Sequence, residues 1–83
     1  MAQLKSSNRA LSVKNIPARL GEAIEERGIN PKALSREVGC SYGHMRAVLA
    51  GKTVPSTITL MRAAKFFGRT VESLLVDKEE DAQ

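Results

Sequence analysis

Three features of the sequence predict an all-α fold. Hydrophobic residues make up 42% of the chain, yet it holds no Trp, one Tyr and two Phe. Its core must therefore be aliphatic, which suits packed helices better than a small barrel. Short segments carry apolar residues at i, i+3 and i+4, with capping residues ahead of them, and four of them close on a glycine. With only 83 residues there is room for one core. The single cysteine, Cys40, leaves no internal disulfide or multi-cysteine zinc site to replace it.

Five helices follow in order. The stretch from Met1 to Asn15 has no sustained helical period and is expected as an arm outside the core. Within it Leu11 and Val13 alternate with Ser12 and Lys14, a pattern also open to a short strand that pairs with another subunit. Helix 1 opens near Pro17, buries Leu20, Ala23 and Ile24, turns Glu22, Glu25 and Glu26 outward, and stops at Gly28. Asn30 caps helix 2, with Pro31 in its first turn, Leu34 and Val38 inward, and Gly39 at its end. Ser41 caps helix 3, whose inward residues are Met45, Val48 and Leu49 and whose stop is Gly51. Ser56 or Thr57 caps helix 4, with Leu60, Ala64 and Phe67 on one face and Gly68 after it. Thr70 caps a short helix 5 carrying Val71, Leu74 and Leu75, and residues 77–83 form an acidic tail.

Charge is unevenly placed. The arm is +3, residues 16–76 are +4 and the tail is −3, for a formal net of +4. A basic body suits a polyanion partner. Residues 30–53 hold Lys32, Arg36, Arg46 and Lys52 against Glu37 alone. Two short helices, 2 and 3, meet there across a tight turn of Gly39, Cys40 and Ser41, which fits the description of a helix-turn-helix DNA reader. A major groove about 12 Å wide admits one helix, and a short helix held across its partner can project its N-terminal half into it.

From Leu20 to Leu75 the order Leu34, Val38-Gly39-Cys40-Ser41, Met45, Val48, Gly51-Lys52, Pro55-Ser56, Leu60, Ala64, Phe67-Gly68 and Leu74-Leu75 resembles the phage repressor and Cro-like family, or xenobiotic-response-element family, without a gap. The chain departs from that pattern at Pro31, where Gln is common, at Ser35, where Ala is, and at Leu49, where Glu is. Pro31 removes a side-chain amide and an N–H with which relatives hold a phosphate. The resemblance implies a compact five-helix lambda-repressor-like DNA-binding domain over residues 16–76. Its implied function is a sequence-specific transcriptional regulator, a repressor that binds an inverted-repeat operator as a homodimer. Helix 3, about residues 41–50, then lies in the major groove, with successive grooves about 34 Å apart.

The resemblance places Ser41, Tyr42, Gly43 and Ala47 at positions that touch bases or adjacent phosphates in relatives. Chemistry adds that Arg46 can take a guanine bidentately, that Tyr42 and His44 can donate hydrogen bonds, and that the Ala47 methyl can pack on a thymine methyl. Lys52 and Thr53 follow helix 3 where relatives clasp the backbone, while Asn30, Lys32 and Arg36 sit on helix 2, which crosses it. Lys5, Arg9 and Lys14 of the arm suit a minor groove or a solubilising leader. Family members often dimerise around helix 5, which makes Val71, Leu74 and Leu75 the candidates here.

The alternative is an antitoxin or protein-interaction module that uses the same fold to bind a protein partner such as a toxin or antirepressor. No nucleophile elbow, glycine-rich phosphate loop or paired-carboxylate motif supports an enzyme. Cys40 and His44 stand at i, i+4, but two ligands do not make a structural zinc site, so no metal or cofactor is expected. Cys40 instead lies where the family keeps a small apolar residue plugging the turn. With no apolar run long enough for a membrane span and no signal-peptide core, the expected place is the cytoplasm of a bacterial or phage-infected cell, at the nucleoid.

Overall fold

A computed structural model describes residues 10–77. A 3-10 turn, Val13–Asn15, runs into α1 (Ile16–Arg27). Then follow α2 (Pro31–Val38), α3 (Tyr42–Leu49), α4 (Thr57–Phe67) and a last 3-10 turn, Glu72–Leu74. The described residues are thus all-helical, with four α-helices and no strand beyond one isolated bridge. None of these helices is long and apolar enough to cross a membrane.

Local chemistry accounts for the helix limits. The Asn30 side chain accepts from the Ala33 N–H at 2.8 Å, Ser41 from His44 at 3.0 Å and Ser56 from Thr59 at 3.2 Å, each satisfying an N–H that its helix leaves free. Ser56, and not Thr57, is therefore the cap of α4. At the other end of α3, Lys52 N–H reaches the Ala47 carbonyl at 2.9 Å and Gly51 N–H the Val48 carbonyl at 3.1 Å, the paired bonds of a Schellman stop.

The core joins Ile16, Leu20 and Ile24 of α1 to Leu34 and Val38 of α2, Met45 and Val48 of α3, Leu60, Ala63 and Ala64 of α4, and Leu74. Leu49 and Phe67, expected inward, are half-buried at its edge, and Ala63 takes a buried place on α4. Ser35 is the one buried polar side chain among the described residues, and its hydroxyl donates to the Lys32 carbonyl at 2.7 Å.

The expected fifth helix is a single 3-10 turn. Thr70 does accept from the Ser73 N–H at 3.1 Å as a cap should, and Leu74 and Leu75 bond back three residues. After it Val76 pairs with Leu11 in an isolated bridge, and the carbonyls that follow accept from distant donors. Leu75 O accepts from Ser12 N–H at 2.9 Å and Asn15 Nδ2 at 2.7 Å, Val76 O from Arg19 Nε at 3.1 Å, and Asp77 O from Arg19 Nη2 at 2.7 Å.

The same bonds govern the expected arm. Its first nine residues lie outside the described ones, but residues 11–15 are tied to the C-terminal segment. Leu11 forms an antiparallel bridge with Val76 of its own chain, and Val13 belongs to the 3-10 turn. Helix α1 accordingly starts one residue earlier than Pro17, with Ile16 buried. The acidic tail beyond residue 77 lies outside the described residues.

The turn between α2 and α3 depends on Gly39, which has φ +77°. An L side chain there is strained by about 1–2 kcal/mol. A Cβ would also stand 3.0 Å from Arg62 Nη1, a flexible end that can move. Gly39→Ala is therefore expected to lower unfolding stability by about 1–2 kcal/mol in a urea titration, and a neutral result would show that the turn relaxes freely.

Candidate nucleic-acid interface

The candidate interface is built from α2, the turn, α3 and the loop after it. Packing of Leu34 and Val38 on α2 and of Met45 and Val48 on α3 into the core leaves Lys32, Arg36 and Glu37 of α2 and Tyr42, Gly43 and Arg46 of α3 exposed. Tyr42 is 44% exposed, and Ser41, Gly43, Arg46, Lys52 and Thr53 are exposed as well. His44 and Ala47 are half-buried. On α2, Asn30, Lys32 and Arg36 are exposed.

Gly43, Arg46, Ala47, Ala50 and Lys52 line one open hollow of about 260 Å³. The Arg46 guanidinium carbon lies 5.8 Å from the centre of the Tyr42 ring, within cation–π range. Two predicted base-reading residues, Tyr42 and Arg46, thus stand side by side, and a predicted phosphate residue, Lys52, shares the hollow with Arg46. Ser41 has a second duty, since its Oγ caps α3, and the Asn30 Oδ1 likewise caps α2. The donors that remain to them are the hydroxyl proton of Ser41 and the amide protons of Asn30.

Thr53 is not in that hollow. It lines an adjoining one of about 210 Å³ with Val13, Lys14, Pro17, Gly51 and Val54. Lys14, read from the sequence as part of an arm, is therefore brought beside the loop after α3. The signal for this lies in the long-range bonds of residues 12 and 15 and has no local counterpart in the sequence.

The arginines divide sharply by what holds them. Arg19 donates to Glu22 at 2.9 Å and to the Val76 and Asp77 carbonyls, and Arg27 donates to Phe66 O at 2.6 Å and covers its ring. Arg62 reaches Val38 O at 3.4 Å, and Arg69 is paired with Glu26. Among the described residues only Arg36 and Arg46 make no hydrogen bond or ion pair within the protein, and both are exposed, Arg36 on α2 and Arg46 on α3. Lys32 and Lys52 are equally unpaired.

No protein-family model matches the chain, and no curated protein matches it either.

Cys40 is half-buried in the turn, packed against the core, and burial pushes its thiol above the ordinary cysteine value. A protonated thiol is a poor nucleophile and metal ligand. Among the described residues no group of three or more His, Cys, Asp and Glu side chains comes together.

The dimer candidates do not stand alike. Leu74 is 0% exposed inside the monomer and has no surface to offer a partner, so it is withdrawn as a contact residue. Val71 and Leu75 are half-buried against the same core.

Gly43 permits a test that separates folding from recognition. A Cβ built on it meets nothing within 4 Å, so Gly43→Ala should leave the fold intact or stabilise it by up to about 1 kcal/mol. If the bare backbone admits a sugar-phosphate or base, the same change lowers duplex affinity while the melting temperature holds or rises. Unchanged affinity would remove Gly43 from the interface.

Proposed function

We propose that the chain is a sequence-specific DNA-binding transcriptional regulator of the phage repressor and Cro-like type, acting as a repressor in a bacterial cytoplasm. In this reading a homodimer sets α3 of each subunit in successive major grooves of an inverted-repeat operator. The observation that carries the reading is that two arginines, Arg36 on α2 and Arg46 on α3, are exposed and left unanchored within the helix-turn-helix unit, as are Lys32 and Lys52. Every other described arginine is held by the protein's own carbonyls or carboxylates. Unpaired guanidinium groups flanking a short projecting helix are what phosphate clamping and guanine recognition require.

Tyr42, Arg46 and Ala47 face the bases, with Ser41, Gly43 and His44 beside them. Asn30, Lys32, Arg36, Lys52 and Thr53 hold the backbone, and Lys14 adds a charge next to Thr53. Catalysis has no part in this mechanism, and neither does a cofactor. Repression follows from occupancy of a promoter.

Selection from a random duplex library with the purified chain tests the reading, followed by binding of the winner and a scramble at two salt concentrations. Enrichment of an inverted repeat, bound about a thousand-fold or more above the scramble, is expected. Absence of enrichment, with weak binding that vanishes by physiological salt, overturns it. On the selected duplex Lys52→Ala should weaken all sequences alike and reduce the salt slope by about 1. A loss confined to the selected sequence would instead make Lys52 a base contact.

A further inference from the structure

Helix α4 carries an outward stripe that neither the core nor the candidate DNA face uses. Ile58, Met61, Arg62 and Lys65 recur at i, i+3, i+4 and i+7, so they lie along one side of the helix. Ile58 is 61% exposed and Met61 54%. These two, with Ala64 and Val71, form the apolar floor of an open groove of about 550 Å³ rimmed by Arg62, Lys65 and Arg69. The groove shares no lining residue with the hollow beside α3.

Contiguous exposed apolar side chains of this size mark interaction surfaces, whereas isolated ones do not. The rim indicates what fits. Lys65 has no partner among the described residues, Arg62 spends one nitrogen on the Val38 carbonyl, and only Arg69 is paired, with Glu26. Glu37 lies beyond Arg62 and Lys65, lining the next hollow, and pairs with neither. The groove is therefore apolar at its floor and positive along its edge.

A second copy of the chain fits this poorly, because a two-fold contact through this groove brings two identical positively charged rims together and adds no carboxylate from the groove lining. The chain's own acidic stretch, residues 77–83, offers carboxylates but only Ala82 to cover the floor. We propose that the α4 groove docks an acidic amphipathic helix of a protein partner, with apolar side chains at i, i+3 or i+4 on the floor and carboxylates toward Lys65 and Arg62. This goes beyond the DNA reading and does not depend on it, since the two surfaces are separate.

The test is selection of a phage-displayed library of random peptides about four helical turns long on the full chain. Winners are then titrated against Met61→Asp and Lys65→Glu, and sedimentation equilibrium is run on all three proteins. Both positions are exposed, so both variants should melt with the wild type. The expected winners carry apolar residues at helical spacing and an excess of Asp and Glu, and lose about tenfold or more in affinity to each variant. Failure to enrich any peptide, winners that are neutral or basic, or binding indifferent to both substitutions overturns the proposal. So does a wild-type dimer that Met61→Asp dissociates, which gives the groove to a second copy.

Discussion

Replacing Leu34 with alanine should cost about 2–5 kcal/mol of unfolding free energy, the largest loss expected from any single truncation discussed for this chain. Leu34 is 0% exposed and sits on α2, a helix of 8 residues that cannot persist by itself. Its side chain is one of two α2 aliphatics, with Val38, through which that helix joins the core. Truncation removes buried methyl groups and leaves a cavity that the surrounding α1, α3 and α4 side chains only partly close. A small domain has about 5–15 kcal/mol in hand, so the variant stands near the edge of folding. Urea denaturation followed by far-ultraviolet circular dichroism gives the number. Ile58→Ala, at a position 61% exposed, is the control and should stay within about 0.5 kcal/mol of wild type. A Leu34→Ala loss below about 1 kcal/mol would contradict the packing of α2 described above.

Arg46→Ala is expected to do the reverse: little to stability and much to recognition. The residue is exposed, and its contact within the protein is the Tyr42 ring at 5.8 Å, worth about 0.5–1 kcal/mol at such a site. On the selected operator the loss should be about 1–3 kcal/mol, roughly 5- to 150-fold in affinity, with relaxed preference at one base pair. Arg46→Lys separates fork from charge. Lysine keeps the positive charge but not the planar pair of donors that matches guanine, so it should restore the salt slope and not the base preference. Equal losses on operator and scrambled duplex for Arg46→Ala would make Arg46 a phosphate contact and leave base reading to Tyr42 and Ala47.

Much of the molecule is legible one residue at a time. Asn30, Ser41 and Ser56 announce helix starts because a short polar side chain bonds an N–H three residues on, within the same turn. The exposed residues of α3 follow from the burial of Met45 and Val48, since the helical period puts Tyr42, Gly43 and Arg46 on the other side. Helix 5 was less legible. Thr70 forms its capping bond to Ser73 as expected, yet a cap signals a helical start without setting its length. On α4 the helical period puts Leu60 and Ala64 inward as packing does, but only packing shows that Ala63 rather than Phe67 is fully buried and that Ile58 and Met61 stay exposed.

What the sequence determined by itself was therefore the local part: the four α-helices, the caps at Asn30 and Ser41, the glycine stops and the exposed residues of α3. These depend on partners within about one helical turn, or on a period that any packing respects. Tertiary structure alone decided the fate of both ends of the domain and the division among the arginines. Asn15 and Leu75, joined by a 2.7 Å hydrogen bond, are 60 positions apart, and Arg19 finds the Val76 carbonyl 57 positions away. No window of sequence contains both members of such a pair. The Val76 and Asp77 carbonyls also anchor Arg19, whereas Arg36 and Arg46 find no such carbonyl or carboxylate among the described residues.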